Sequence, residues 1–267
     1  MEIVVCVKPV PDPREMSKIT LDPKTKVLRR EGVETVINPL DRNALEAALQ
    51  IRQSLGGRVR VISMAPPIAV EVLREALALG ADEAMLLSDR AFAGADTLAT
   101  AFVLAAGVQR WGEPDLVLCG AESVDGSTGQ VGPQLAHLLG LAHLTYVCGL
   151  EEVAAERIVA RWQVEEGYAR VEVRLPAVLT VTREINKPRT MSLMGVVQAR
   201  GKPIEILSAV DLEIDVRRCG LVGSPTQMGD MWMPQSGRRQ EILRGEPEEV
   251  VQALLQRLRE LAVLPGQ

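Results

Sequence analysis

The sequence has few aromatic residues, and this shortage narrows the folds that it can form. Aromatic side chains make up only 3% of the 267 residues. A chain of this length buries a sizeable core, so that core must be built mainly from Val, Leu, Ile and Ala. Such a composition suits parallel strands that helices bury on both faces, because these strands read as near-continuous aliphatic runs.

Cysteine and histidine are also scarce. The four cysteines lie far apart with no CxxC pair, at Cys6, Cys119, Cys148 and Cys219. This spacing argues against a zinc site and a disulfide scaffold, so we expect reduced and mostly buried thiols. His137 and His143 are the only histidines, and neither has a carboxylate or cysteine at ligand spacing. We therefore expect no metal site, and no catalytic triad is visible.

The chain has neither an excess of basic residues nor a long apolar run. Its 30 Lys and Arg stand against 35 Asp and Glu, so no broad basic field attracts nucleic acid. No stretch approaches the roughly 18 apolar residues that span a bilayer. Met1 leads into the strand-like run EIVVCV rather than a signal peptide. We expect a cytoplasmic protein without a membrane span that binds a small molecule or another protein.

The first half alternates between strand-like and helix-like segments. Apolar runs predict buried strands at 2–7, 58–64, 84–87 and 115–119. Helical spacing predicts helices at 41–55, 68–79 and 97–111, with Asp41 and Asp96 as N-caps. This alternation predicts parallel strands joined by right-handed helical crossovers. Residues 18–30 interrupt it, and their Asp22-Pro23 turn signal predicts a surface hairpin.

The second half contains apolar or alternating segments with almost no helix between them. These segments predict strands that pair antiparallel at one edge of the sheet or in a small second layer, at 144–150, 158–164, 168–175 and 178–181. Residues 186–203 follow no regular period. The Pro/Gly-rich stretch 220–237 predicts an extended arm over apolar surface, and an apolar stripe predicts a final helix at 247–261.

These patterns together predict an α/β fold with an open, mostly parallel twisted sheet, crossover helices, antiparallel edge strands and a C-terminal arm. We divide the chain into an α/β domain at 1–220 and an arm with a final helix at 221–267.

The run GAESVDGSTGQVGP at 120–133 is the main candidate for a binding segment. Ligands of open parallel sheets bind beyond the carboxyl ends of strands, and this run follows such a strand, as do the segments after Val7 and Met64. Small residues let the backbone approach a phosphate, hydroxyls add donors, and a helix predicted at 134–139 offers unpaired N–H groups. The run lacks the Gly-Lys-[Ser/Thr] ending of a Walker A loop and is not GxGxxG.

Composition alone leaves a flexible surface turn as an equal reading of this run, whereas its position after an apolar strand favours a ligand. Asp125 is either a turn or capping residue or a contact for a ribose or the loop. Asn38, in the NPLD segment before the first crossover helix, is either a turn residue or a base-reading one.

Several motifs together resemble the β subunit of electron-transfer flavoproteins. In chain order they are VVCVKPVPD, INPLDRNALEAAL, GADEAMLLSD with RAFAGADT, GAESVDGSTGQVGPQLAHLLGL, LPAVLTV and INKPRTMSLMGV. They run through nearly the whole chain, so the resemblance is more specific than any single motif. It implies an adenine-nucleotide-hydrolase-like fold and an obligate α subunit in a heterodimer, with the arm and helix at 221–267 packing on that partner subunit. It also implies an FAD carried mainly by the α subunit near the interface.

The resemblance also implies a function. The heterodimer would carry electrons from acyl-CoA or other flavoprotein dehydrogenases to an acceptor such as a quinone oxidoreductase, without transforming a substrate itself. Some family members bifurcate electrons in an NADH-dependent complex, and the resemblance leaves this variant open.

The family's β subunit commonly holds AMP, and bifurcating members carry a second FAD in the same place. The resemblance leaves both nucleotides open, with FAD slightly favoured by the DRAFAGADT segment at 89–97. The residues that it assigns to the nucleotide are Cys6, Asn38, Pro39, Leu40, Asp41, Met64, Thr97, Gly120, Ala121, Glu122, Ser123, Val124, Asp125, Gly126, Ser127, Thr128, Gly129, Gln130 and Val131.

A second functional region implied by the resemblance is a recognition loop at 187–199. Leu193 falls at the anchor that inserts into a hydrophobic pocket of a dehydrogenase, flanked by Met191 and Met194. An apolar plug with flexible neighbours suits a promiscuous docking site, although Leu193 packing against its own domain is the alternative. The Lys-rich run that follows this loop in some members is reduced here to Arg200 and Lys202, which leaves the dehydrogenase undefined.

Two other functions are compatible with the same fold. A stand-alone nucleotide-binding module would leave the arm and the final helix unexplained. A nucleotide hydrolase would need an acid/base or metal constellation near the phosphates, and Asp12, Asp96 and Asp125 have no recognisable spacing. We therefore expect an electron-carrier subunit rather than an enzyme.

Overall fold

The structure is a computed structural model that describes residues 1–18, 20–21, 28–29, 32–227, 229 and 241–263. The chain divides into two compact units, Met1–Asp230 and Met231–Gln267. The first unit contains a nine-stranded sheet with helices on both faces, which confirms the predicted α/β fold.

Seven neighbouring strands of this sheet run parallel. Their order across the sheet is β9 (Ala142–Val153), β12 (Ala177–Val181), β8 (Leu116–Gly120), β1 (Glu2–Cys6), β6 (Arg58–Met64), β7 (Glu83–Leu87) and β13 (Ile204–Leu207). The apolar runs of the first half predicted β1, β6, β7 and β8 correctly. From β1 the chain adds β6 and β7 on one side and then β8 on the other, so the order reverses between β1 and β8.

The edge of the sheet beyond β9 is antiparallel, as predicted for part of the second half. β10 (Arg157–Val164) pairs antiparallel with β9 and with β11 (Gly167–Arg174). β12, in contrast, pairs parallel with both β8 and β9, so the antiparallel pairing predicted for 178–181 was wrong. Every residue of β12 is buried, and a short strand without alternation carries no sign of its direction.

Helices cover the two faces in pairs. α1 (Pro39–Leu55) and α2 (Val70–Leu79) share one core cluster with Ile3 and Val5 of β1. α3 (Thr97–Arg110) and α4 (Val131–Leu139) share the other with Val4 and Cys6. Successive residues of β1 thus point to opposite faces, as the pleat of a strand requires. α4 begins at Val131 rather than at the predicted Gln134, which brings the helix start into the candidate binding segment.

The segment 186–203, for which no regular structure was predicted, contains a whole helix and leads into a strand. α5 (Leu193–Gly201) packs on α2, and β13 follows it directly and pairs parallel with β7. Gly195, Val196, Val197 and Gly201 are weak helix formers, and only Ala199 of this helix is buried. Contacts outside the helix, rather than propensity or an apolar stripe, therefore stabilise α5.

Two small antiparallel pairs lie outside the main sheet. β2 (Pro9–Pro11) pairs with β5 (Thr35–Ile37), and β3 (Thr20–Leu21) pairs with β4 (Leu28–Arg29). The second pair agrees with the hairpin predicted for 18–30, whose Asp22-Pro23 turn lies outside the described residues.

The predicted arm at 220–237 is described only in part. Leu221 donates its N–H to the carbonyl of Ala93 at 2.9 Å, and the hydroxyl of Thr226 donates to Asp96 Oδ2 at 2.7 Å. These contacts attach residues 220–227 to the segment just before α3, whereas residue 228 and residues 230–240 lie outside the described residues. In the second unit α6 (Pro247–Glu260) agrees with the predicted final helix. None of the helices in the described ranges combines the length and the apolar character needed to cross a membrane.

Candidate functional site

The strand order reverses between β1 and β8, and the region beyond the carboxyl ends of these two strands, called the crevice below, is the candidate site. The two strands lie side by side, with Ile3 opposite Leu116 and Val5 opposite Leu118. In open parallel sheets the loops diverge at such a reversal and leave room for a ligand. The segments that follow β1 and β8 therefore form the two walls of the candidate site.

Asp41, in the first turn of α1, connects these two segments. Its Oδ2 accepts the N–H of Lys8 at 2.7 Å, and its Oδ1 accepts the N–H of Gly120 at 2.9 Å. Burial raises the pKa of this carboxyl to about 6, although the N–H of Lys8 favours the charged form. Because α1 begins at Pro39, the prediction that Asp41 is the N-cap was wrong. Its carboxyl holds the two loops together instead.

Asn38 occupies the N-cap position and holds the loop after β8. Its side-chain Nδ2 donates to the carbonyl of Glu122 at 2.9 Å, and its Oδ1 accepts the N–H of Val124 at 3.1 Å. Its own N–H donates to the carbonyl of Lys8 at 2.9 Å. The residue is 1% exposed, so its amide is a scaffold for both loops rather than a group that faces solvent.

Gly120 allows α1 to approach the end of β8. A Cβ atom at this position would lie 2.5 Å from Asp41 Oδ1 and 2.7 Å from the Cβ of Leu40. Both distances are far below van der Waals contact. The first of these atoms, Asp41 Oδ1, is also the acceptor of the Gly120 N–H. Only glycine fits at this position without moving Asp41 away from the N–H that it accepts.

Lys8 and Asp125 hold the middle of the loop. Lys8 Nζ donates to Asp125 Oδ1 at 2.6 Å and to Ser123 Oγ at 3.2 Å. Burial tends to raise the pKa of Asp125, but the hydrogen bond and the charge of Lys8 outweigh this effect and lower it. Lys8 was not among the predicted site residues. Its partner Asp125 is 117 positions away along the chain, and no local pattern connects the two.

The loop turns tightly beyond Asp125. Ser127 donates its N–H to the carbonyl of Ser123 at 2.8 Å, with a left-handed φ of 48°. Gly129 also has a left-handed φ of 64°, and a Cβ there would lie 2.9 Å from the hydroxyl oxygen of Tyr146. The phenol of Tyr146 therefore lies directly against the end of the loop.

Tyr146 itself is held in a strained backbone conformation. Its φ of 51° is in the left-handed region, which bulky residues rarely adopt. The pairing of β9 with β12 shifts register at this point, between Leu179 and Val181, and a bulge of this kind redirects a side chain. The N–H of Tyr146 donates to Thr180 Oγ1 at 3.1 Å. Neither Tyr146 nor Thr180 was predicted as a site residue, because a bulge leaves no signal in the strand pattern.

The starts of α3 and α4 meet at the same loop. The hydroxyl of Thr97 donates to Gln130 Oε1 at 3.0 Å. Asp96 caps α3, as predicted, and accepts the N–H of Ala99 at 3.0 Å. Thr97 therefore contacts the candidate loop, although it was assigned to the site only through the family resemblance.

Two further predicted nucleotide residues, Cys6 and Met64, lie at the borders of the crevice. Cys6 is 6% exposed and belongs to the core beneath the loop. A hydrogen bond with Cys119, together with burial, raises the pKa of the Cys6 thiol, so this thiol stays protonated. Met64 is half-buried at the carboxyl end of β6, next to β1. Within the described ranges, no group of three or more His, Cys, Asp or Glu side chains is placed to hold a metal ion.

The predicted docking residues are gathered on the surface at the start of α5. Leu193 is 83% exposed, Met194 65% and Met191 46%. Ser192 caps the helix and accepts the N–H of Gly195 at 3.0 Å. Leu193 is therefore the first residue of a capped helix rather than part of an irregular loop, and it does not pack into its own domain.

A family model and several known proteins match this chain over most of its length. A model of the electron transfer flavoprotein domain matches residues 25–212. An electron transfer flavoprotein subunit beta from Thermoanaerobacterium thermosaccharolyticum is 47% identical over 259 residues, or 97% of this chain and 98% of the relative. The caffeyl-CoA reductase-Etf complex subunit CarD of Acetobacterium woodii is 45% identical over 266 residues, or 99% and 100%. Protein FixA of Azorhizobium caulinodans is 43% identical over 243 residues, or 88% and 85%.

Proposed function

The chain belongs to the electron transfer flavoprotein family, among its β subunits, and on this premise we propose that it holds an adenine nucleotide in a heterodimer with an α subunit. The nucleotide would occupy the crevice between β1 and β8. The observation that carries this proposal is the loop at 120–131, which Asp41, Asn38 and Lys8 fix from different sides.

The loop has the chemistry that a phosphate group requires. Its small residues leave the backbone accessible, and the first turn of α4 presents N–H groups with no acceptor inside the helix. Thr128 adds a hydroxyl donor, whereas the hydroxyl of Ser127 donates to the carbonyl of Ser123 at 3.2 Å. Lys8 supplies a positive charge beside the loop, and its side chain is 48% exposed, so its ammonium group is accessible to an anion as well as to Asp125.

The nucleotide is either AMP or a second FAD, and the two would give the subunit different roles. FAD supplies electron-carrying chemistry when it is bound, whereas AMP would be structural. The residues of this chain would have the same roles in both cases. Asp41 and Asn38 would fix the loop, and Lys8 and the start of α4 would bind the phosphate groups.

Electrons would enter and leave through protein partners. A relative that is 45% identical is named as a subunit of a caffeyl-CoA reductase-Etf complex, which supports an acyl-CoA dehydrogenase or reductase as one partner. The exposed side chains of Leu193, Met191 and Met194 are the proposed contact with such a flavoprotein. A quinone oxidoreductase or a similar protein would accept the electrons.

Co-production with the α subunit tests this proposal directly. The purified heterodimer is denatured, flavins are counted per heterodimer, and the released nucleotides are separated by chromatography. One FAD with one AMP indicates a simple carrier, and two FAD indicate the bifurcating type. A single FAD with no second nucleotide, failure to pair with an α subunit, or sustained hydrolysis of added ATP contradicts the proposal.

A matched pair of variants locates the nucleotide. Asp41→Asn should lose most of the second nucleotide, because an amide cannot accept both N–H groups through two oxygens. Asp82→Asn is the control, since Asp82 also accepts a backbone N–H, from Val59 at 2.8 Å, but does so at the start of β6, at the amino ends of the strands. Equal loss in both variants would show a general effect on folding.

A further inference from the structure

The segment at 186–192 that leads into α5, called the docking segment below, is attached to α1. The N-cap of that helix is Asn38, and its first turn contains Asp41. We propose that Glu46 and Arg189 are positioning residues that set the orientation of Leu193 for docking. This inference rests on the proposed docking function and assigns a role to two residues outside the nucleotide crevice and outside the exposed apolar surface.

The contact between the two residues is extensive. Glu46 Oε2 accepts the backbone N–H of Arg189 at 3.1 Å and its Nε at 2.7 Å, while Oε1 accepts Nη2 at 3.1 Å. Gln50 donates a further hydrogen bond to Oε1 at 2.9 Å. Paired donors of this kind fix the guanidinium plane as well as its distance. Because the backbone N–H takes part, the contact fixes the main chain of the docking segment too.

The carboxylate of Glu46 is buried and charged. The residue is 6% exposed. Burial tends to raise the pKa of Glu46, but its hydrogen bonds and charge interaction with Arg189 outweigh this effect and lower it. Replacing a buried ion pair with apolar groups is often neutral or stabilising, whereas such a pair can select one geometry. The pair is therefore better suited to fixing an orientation than to adding net stability.

A second contact lies one helical turn earlier on α1. Asn43 Nδ2 donates to Asn186 Oδ1 at 2.9 Å and to its carbonyl at 3.0 Å. Asn186 Nδ2 donates in return to the carbonyl of Asn43 at 2.9 Å. Residues three apart lie on the same side of a helix, so Asn43 and Glu46 hold the docking segment at two points along one face of α1.

The far side of α5 is fixed independently. A Cβ atom on Gly195 would lie 2.3 Å from the carbonyl oxygen of Ala78, so the helix rests directly on the backbone of α2. Arg74 Nη1 donates to the carbonyls of Ala199 at 2.6 Å and Lys202 at 2.5 Å, at the end of α5. Leu193 lies between these contacts and Arg189, within a chain reach of about 14 Å. Loss of the Arg189 contact therefore frees the chain before Leu193, while the contacts with α2 still hold α5 after it.

The test uses the intact heterodimer and a purified acyl-CoA dehydrogenase that reduces the wild-type protein. The variants are Arg189→Met, Arg189→Lys and Glu46→Gln. Leu193→Ala is the docking reference, and Arg183→Met is an exposed control that lies before the recognition loop. The measurements are KM for the heterodimer, kcat at saturation, bound nucleotide, and hydrogen exchange of the amides at 190–196.

We expect Arg189→Met to raise KM at least about tenfold, a loss of about 1.4 kcal/mol of binding free energy. Exchange at 190–196 should become faster, with kcat and bound nucleotide unchanged. Arg189→Lys should raise KM by a smaller factor, because a lysine still donates hydrogen bonds but lacks the fixed planar fork of arginine. The KM and the exchange rate of Glu46→Gln should lie between those of the wild type and Arg189→Met. Arg183→Met should change KM less than about twofold.

The outcomes separate this inference from the proposed docking. If Leu193→Ala raises KM and Arg189→Met does not, docking stands and the positioning role is wrong. If Leu193→Ala has no effect, the docking proposal itself is wrong. A parallel loss of bound nucleotide or kcat in Arg189→Met would show a structural role only. If Arg189→Met fails to fold, the isosteric Glu46→Gln decides: unchanged KM and exchange would overturn the inference.

Discussion

The N–H of Gly120 donates to Oδ1 of Asp41 over 2.9 Å, and this hydrogen bond joins the end of β8 to the first turn of α1. The other oxygen of the same carboxyl accepts the N–H of Lys8 after β1. One side chain therefore spans the point at which the strand order reverses. It determines how far apart the two walls of the crevice lie.

Asp41 should make stability depend on pH in the acid range. Because its folded-state pKa of about 6 lies above the ordinary 3.8, the folded protein binds more protons than the unfolded chain between these values. The stabilisation from this group is complete below about pH 4 and is lost as the pH rises to 6, by up to about 3 kcal/mol.

Urea unfolding of the wild type and of Asp41→Asn at pH 4, 5, 6 and 7 measures this effect. The difference between their free energies of unfolding should shift against the wild type as the pH rises, because the amide does not titrate. A difference that stays constant across this range contradicts the buried, raised pKa.

Gly120→Ala should destabilise the first unit and release the second nucleotide. The new methyl group would meet Asp41 Oδ1 at 2.5 Å and Leu40 Cβ at 2.7 Å, and overpacking of this kind destabilises by about 1 to 3 kcal/mol. Gly201→Ala is the control, because a Cβ there meets no atom within 4 Å and the residue ends a helix. Thermal unfolding and nucleotide content should change in the first variant only.

Gly129→Ala should speed nucleotide release, and Tyr146→Phe should correct part of this defect. The added Cβ would lie 2.9 Å from the phenol oxygen but 3.9 Å from the ring carbon that carries it, so removal of the hydroxyl relieves the contact. The left-handed φ of 64° still disfavours alanine, by roughly 1 to 2 kcal/mol.

Release rates of the four members of this cycle, followed by dilution into excess unlabelled nucleotide, give the coupling between the two positions. If the changes in the logarithm of the release rate are purely additive, the phenol does not touch the loop in solution.

Leu193→Ala should separate stability from docking. The side chain is 83% exposed, so its loss should change the free energy of unfolding by less than about 0.5 kcal/mol. Electron transfer from a flavoprotein dehydrogenase should nevertheless weaken at limiting concentrations. Leu55→Ala, at the end of α1 and 41% exposed, is an apolar control that should leave electron transfer intact. Loss of flavin from the Leu193 variant would show a structural role instead.

The parts of the fold that the sequence predicted well are those with strong local patterns. Aliphatic runs mark β1, β6, β7 and β8, and Asp96 marks the start of α3. Two features depend on distant contacts and were missed. β12 has no alternation that reveals its direction, and α5 is weak in helix propensity, so its position on α2 decides its structure.

The candidate site shows the same division. Asn38, Asp41 and the 120–131 loop were found because they follow or precede regular elements at the expected edge of the sheet. Lys8 and Tyr146 were missed, since the first depends on a partner 117 residues away and the second on a β-bulge. The chemical role of Asp41 was also misjudged. A helix cap is a local property, whereas the bridge that it forms joins two loops far apart in sequence.

The exposed face of α5 contributes little to the core of the first unit, because Ala199 is the one residue of that helix that is buried. Selection can therefore change Leu193, Met194 and Val197 without disturbing the sheet, provided that Gly195 and the contacts at each end of the helix remain. On the proposed docking role of Leu193, a subunit built in this way acquires a new electron-transfer partner by exchanging a few surface side chains, while the loop at 120–131 and the fold stay the same. The partner range of such proteins is then free to diverge faster than their architecture.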